Sequence, residues 1–120
     1  MRHPDGSVAR RIAEVGEADV CTSVLVAAEV RFGAAKRRSP ELSARCEAAL
    51  RVLEVVPFAP PADAVYAKER ARLEATGRLI GALDLLIAAH ALALGCTIVT
   101  DNEREFARVE DLAHVNWLRE

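Results

Sequence analysis

Aromatic side chains are scarce in this chain, at 4% of its 120 residues. Any core must therefore be aliphatic, and Val, Leu and Ala are there to build it. Cysteine is sparse too. Cys21, Cys46 and Cys96 are odd in number and widely spaced, with no CxxC pair. That excludes a disulfide framework and a thiolate zinc site, and it suits a reducing compartment. His3, His90 and His114 are equally scattered, with no HExxH. Neither sign of charge dominates: 16 basic and 18 acidic residues leave a net charge of −2. The chain as a whole is no electrostatic surface for nucleic acid, so contact with one must come from a local patch. No apolar run reaches the roughly 18 residues of a membrane span. Residues 1–11 lack the apolar stretch of a secretory signal. No repeat, linker or low-complexity tract interrupts the sequence. A cytoplasmic protein without membrane contact is expected.

Apolar residues make up 52% of the sequence, enough for one domain over residues 1–120 with an ordinary core. Element types alternate along it. Residues 8–15 read as the second half of a helix closed by Gly16. Asp19 to Ser23 is a short strand. Ser23 is a suitable N-cap for a helix from Val24 to about Arg38. Ser39-Pro40-Glu41 places cap, first-turn proline and acid in their preferred order for a helix to about Leu53. Glu54 to Phe58 reads as a strand ending at Pro57 or lying at an edge. Pro61 opens a helix that ends near Gly77. Ala82 to Leu94 is a helix closed by Gly95, Thr97 to Thr100 a strand, and His114 to Trp117 a further strand. Such alternation predicts an α/β fold on a parallel sheet. In these folds ligands bind beyond the carboxyl ends of the strands, here after Ser23 and after Thr100.

Three acidic positions stand out there. The helix 82–94 is apolar almost all round, hence buried, and Asp84 and His90 are its only polar side chains. A buried carboxylate costs several kcal/mol unless something compensates it. A helix-dipole interaction returns only about 0.3–1 kcal/mol, so metal ligation is the better explanation for Asp84. Glu29 shares a helix face with Leu25, Phe32 and Gly33, which predicts an inward glutamate, either a metal ligand or half of an ion pair with an arginine. The segment Thr100-Asp101-Asn102-Glu103-Arg104-Glu105-Phe106 follows a strand. Asn102 and Glu105 have capping-box spacing, and capping and metal binding are both open for them. Converging carboxylates repel, and a hard divalent cation such as Mg²⁺ or Mn²⁺ reverses that repulsion. His90 lies off the Asp84 face and reads as a core histidine. Arg31, Lys36, Arg37 and Arg38 could meet phosphates or form a solvated helix end.

These residues also carry a resemblance. The stretch Thr22 to Gly33, containing Glu29, resembles the second conserved block of PIN-domain ribonucleases, especially VapC-type toxins. Ile80 to Leu92, containing Asp84, resembles their third block, and Val99 to Phe106 their fourth. The three blocks stand in the family's order and spacing over essentially all of the chain. The resemblance implies a three-layer α/β/α sandwich on a parallel sheet and a Mg²⁺- or Mn²⁺-dependent endoribonuclease acting as the toxin of a VapBC-type toxin–antitoxin pair. RNA would be its substrate, an antitoxin its partner and a second copy its homodimer mate. Glu29 and Asp84 would be catalytic metal-site carboxylates, and Ser23 and Thr100 site-lining hydroxyls. The family's last acidic position falls on Asn102, with Glu105 and Asp101 as the neighbouring candidates for the ligand.

The sequence departs from the family pattern at its start. No Asp-Thr-Asn-like block supplies the family's first aspartate, and Asp5 lies in a turn-like Pro-Asp-Gly. The resemblance thus implies that the first strand is missing, through a miscalled start or a true fragment, and that the chain as written is weakly active or inactive. The alternative reading is a catalytically inactive PIN remnant that only binds protein. An unrelated α/β binding domain leaves Asp84 and Glu29 unexplained.

Overall fold

Ser23 ends one element and begins the next. The first strand, β1, covers Cys21–Ser23, and the helix α1 covers Val24–Arg37. The Ser23 hydroxyl accepts the Leu25 amide at 3.0 Å, which satisfies one of the helix's free donors. The structure is a computed structural model that describes residues 14–16 and 19–117. Residues 8–13 of the helix expected before Gly16, and Asp5, lie outside the described residues. The chain divides into two compact units, one of residues 9–58 and one built on residues 59–120.

In the first unit, Arg38 in a left-handed conformation closes α1. Ser39 accepts the Leu42 amide at 3.1 Å and starts α2, Pro40–Arg51, with proline in its first turn as expected. The helices α1 and α2 pack together, and Ala27, Ala34 and Leu50 are buried. Arg31 chelates Glu47 across the pair, with Nε to Oε2 at 2.8 Å and Nη2 to Oε1 at 3.0 Å. The strand β2, Glu54–Val56, runs parallel to β1 in the register Cys21–Glu54, Thr22–Val55, Ser23–Val56. Both strands are shorter than expected. Asp19 spends its amide on the Gly16 carbonyl at 2.9 Å, in a turn that Gly16 makes with φ of 101°. Pro57 has no amide to continue the ladder after β2.

The second unit contains α3 (Ala62–Ala75), α4 (Ala82–Leu94), β3 (Ile98–Val99), the one-turn helix α5 (Glu103–Phe106) and β4 (His114–Val115). Leu73 of α3 and Leu85 and Ala88 of α4 form its core with Ile80, Phe106, Val109 and Leu112. Among these side chains Phe106 is the one aromatic ring, in keeping with an aliphatic interior. His90 is also buried in α4, as its apolar neighbours predict. Gly95 ends α4 in a left-handed conformation that returns its own amide to Leu92 and the Cys96 amide to Ala91. The strands β3 and β4 are parallel, pairing Ile98 with His114 and Val99 with Val115. Helices joined to parallel strands are thus present in both units, the α/β class that the alternating pattern predicts. Among the described residues, no helix is long and apolar enough to cross a membrane.

Candidate functional site

The end of β3 is organised by Thr100. Its amide donates to the Val115 carbonyl at 3.0 Å, and its hydroxyl accepts the Asn102 amide at 2.9 Å. That local bond turns the chain out of the strand and into α5. Phe106 then anchors α5 in the core, 3% exposed. With Phe106 fixed inward, the Glu105 side chain reaches the first turn of α4, where its carboxyl comes within hydrogen-bonding reach of Asp84.

Both carboxyls are acceptors when ionised, so this contact is unfavourable unless a proton or a cation lies between them. Burial pushes the Asp84 carboxyl up to about 6, and the hydrogen bond with Glu105 and repulsion from its charge act in the same direction. Oε1 of Glu105 is shielded from solvent and accepts no hydrogen bond. Asp84 is partly buried. A Cβ at Gly81 would stand 3.9 Å from Asp84 Oδ2. A paired, partly desolvated set of hard oxygen donors with one buried atom unsatisfied fits a divalent cation. Mg²⁺ in particular is commonly held by one or two carboxylates and completes its shell with water and phosphate oxygens. Among the described residues, no three His, Cys, Asp or Glu side chains group to hold a metal.

The other expected positions separate clearly. Asp101 is exposed and accepts Asn116 Nδ2 at 2.9 Å. Asn102 caps nothing with its side chain, so the capping box does not form. The Thr100 hydroxyl has taken the Asn102 amide that Glu105 would have bound, and Glu105 faces Asp84 instead. Glu103 Oε1 lies 3.3 Å from His114 Nδ1, an ion pair only where the imidazole is protonated. Ser23 is half-buried and caps α1. Glu29 lies on α1 in the first unit and is exposed, as is Phe32 beside it at 59%. The inward apolar face expected for Glu29 is therefore not observed. The face of α1 that is buried runs through Ala27 and Ala34 instead. Of the basic residues on and after α1, Arg31 is engaged with Glu47, and Lys36 lies 6.0 Å from the Phe32 ring.

Composition gave no hint of two arginines that bind backbone carbonyls in this unit. Arg72 of α3 holds the buried Glu69 at 2.9 Å and donates to the Arg108 carbonyl at 3.0 Å. Arg108 donates from its side chain to the Leu79 carbonyl at 3.2 Å. Neither sits in a motif, and the carbonyls they bind are invisible to side-chain patterning.

The PIN domain family matches residues 2–112 of the sequence. The chain belongs to the PIN-domain family. The match spans both compact units. Ribonuclease VapC2 of Rickettsia felis is 33% identical over 117 residues, covering 97% of this chain and 87% of that protein. A tRNA(fMet)-specific endonuclease VapC of Shigella flexneri is 32% identical over 118 residues, covering 98% and 89%. The crystal structure of a DNA-bound VapBC from Salmonella typhimurium superimposes with a TM-score of 0.86 at 30% identity, over 92% of this chain and 84% of that one. Within the PIN-domain family, the chain is VapC-like in sequence and in fold.

Proposed function

We propose that this PIN-domain chain is a ribonuclease of the VapC type, the toxin of a toxin–antitoxin pair, and that it hydrolyses RNA phosphodiester bonds at the Asp84–Glu105 pair with Mg²⁺ or Mn²⁺. The observation that carries this reading is the facing of two carboxyls, one of them with a buried, unsatisfied oxygen. Relatives named as ribonucleases along nearly the whole chain support the RNA substrate. The likeness to a VapBC complex supports an antitoxin partner.

Asp84 and Glu105 would hold the cation in this reading. A divalent ion held there supplies Lewis acidity and neutralises charge at the phosphodiester. The chain's own residues do the positioning. The α4 helix presents Asp84 from a rigid, buried element, and Phe106 locks the rotation of α5 so that Glu105 faces it. Thr100 fixes the turn between β3 and α5, and Asp101 with Asn116 holds that turn to the segment after β4. Asp101 and Asn102 are therefore scaffold here, and Glu105 takes the ligand role. Ser23 and Thr100 serve as caps and turn-formers at strand ends. A cytoplasmic setting is part of this reading. A homodimer completes the proposal.

The test is cleavage of a single-stranded RNA by the purified protein. We expect weak cutting in millimolar Mn²⁺ or Mg²⁺, none in EDTA and a further loss of at least about 100-fold in Asp84→Asn, as for removal of one preorganised charge-stabilising group. Metal-independent cutting, or an Asp84→Asn variant of full activity, overturns the reading. A folded protein that binds an antitoxin but cuts nothing is the inactive protein-binding module.

A further inference from the structure

Arg108 touches both halves of the carboxylate pair's support without touching either carboxyl. Its guanidinium donates from Nη1 to the Leu79 carbonyl at 3.2 Å. Leu79 leads through Ile80 into Gly81, the N-cap of α4, whose carbonyl accepts the Leu85 amide at 2.9 Å around the turn that bears Asp84. The backbone of Arg108 faces the other way. Its amide donates to the Glu105 carbonyl at 3.1 Å. Its own carbonyl accepts Nη2 of Arg72 at 3.0 Å. Arg72 is in turn fixed by Glu69, whose side chain is 8% exposed, through Nη2 at 2.9 Å and Nε at 3.2 Å to the same oxygen.

A one-turn helix cannot hold its own orientation, because a single turn makes too few internal bonds to repay the ordering of its backbone. The direction of Glu105 is therefore set by Phe106, buried in the core, and by what grips the ends of α5. Thr100 grips the entry through the Asn102 amide. At the exit, the grip belongs to Arg108 and Arg72.

We propose that Arg108, held by Arg72, is a positioning residue that sets the separation of the Asp84 and Glu105 carboxyls by bracing the exit of α5 against the entry of α4. The brace rests on the metal-site reading for its purpose but not for its geometry. It acts on spacing, so its loss weakens cation binding in a protein that still folds. Partners that orient ligating groups in this way typically contribute about 10–100-fold in metal affinity.

Calorimetric titration of Mn²⁺ into the full chain tests this, with melting temperature as the measure of folding. Arg108→Met and Arg72→Met should each weaken Mn²⁺ binding by about 10-fold or more. Arg108→Lys, which keeps a donor for Leu79, should recover part of the loss. Arg104→Met, an exposed change on the same short helix, should leave binding unchanged. Should Arg108→Met fail to fold, Arg72→Met and Arg108→Lys carry the comparison. Unchanged Mn²⁺ affinity in folded Arg108→Met or Arg72→Met overturns the brace. Absence of saturable Mn²⁺ binding in the unmutated protein overturns the metal reading instead. The brace is then decided by a metal-free crystal structure of Arg108→Met: Glu105 withdrawn from Asp84 supports it, and an undisturbed pair refutes it.

Discussion

Asp84 and Glu105 approach each other carboxyl to carboxyl, Asp84 from the first turn of a buried helix and Glu105 from a single-turn helix after a strand. Partial burial of Asp84 and the charge of Glu105 raise the Asp84 pKa from an ordinary 3.8 to about 6. A raised folded-state pKa on an acid means that the native state holds the proton more tightly than the unfolded state. The stabilisation is full below pH 3.8 and is lost as pH rises through 6. The metal-free protein should therefore lose stability between about pH 4 and pH 7, by on the order of 1 kcal/mol after solvent screening. Asp84→Asn removes the charge and keeps the shape. It should flatten that part of the profile and raise the melting temperature of the metal-free protein at pH 7.5 by about 4 °C. Urea unfolding in EDTA across the pH range is the measurement. A variant less stable than the parent at pH 7.5 would make Asp84 a structural partner of the helix dipole.

Added cation should act in the opposite direction. An ion that binds only the folded form contributes RT ln(1 + [L]/Kd), about 2.7 kcal/mol at a hundredfold excess over Kd. At roughly 4 °C per kcal/mol, Mn²⁺ at that excess should raise the melting temperature by about 10 °C at constant ionic strength and pH 7.5. In Asp84→Asn and Glu105→Gln the shift should fall to a small fraction of this. A shift of equal size in all three proteins would place the ion elsewhere.

Phe106 links the core to the site. Truncation to alanine removes a nearly fully buried ring and should cost about 3–5 kcal/mol. Because the ring also fixes the rotation of α5, the folded fraction of Phe106→Ala should bind Mn²⁺ more weakly. Val109→Ala, in the same core but after α5, should lower stability with a much smaller effect on Mn²⁺. Parallel stability and Mn²⁺ titrations separate the two. Equal Mn²⁺ affinity in both variants would mean that Phe106 contributes packing alone.

Much of this was legible from local chemistry. Ser23, Ser39 and Gly95 mark helix ends by side-chain capping or by tolerance of a left-handed turn, and each does so where it was expected. Asp84 stood out because its helix has almost no other polar group. The choice among Asp101, Asn102 and Glu105 was not legible. It depends on which acceptor takes the Asn102 amide, and Thr100, two residues back, wins over Glu105. The spacing of Asn102 and Glu105 was right for a capping box, but a competing hydroxyl emptied it. Glu29 misled for another reason. Its face-mates Phe32 and Gly33 are themselves exposed and Leu25 is only half-buried, while two alanines, which carry little pattern signal, form the buried face of α1. Arg72 and Arg108 act on backbone carbonyls, and residue spacing does not encode those contacts.

In the proposed site the Asp84 and Glu105 carboxyls share one divalent cation, and the location of that ion is the most direct test. Crystals of the full chain grown or soaked with Mn²⁺ near neutral pH, measured for anomalous scattering, should show a manganese peak between Asp84 and Glu105. Carboxylate oxygens of both residues should lie within about 2.0–2.3 Å of it, near the octahedral Mg²⁺ spacing. Saturating Mn²⁺ with no anomalous peak at this pair, or a peak bound wholly by other residues, would contradict the account.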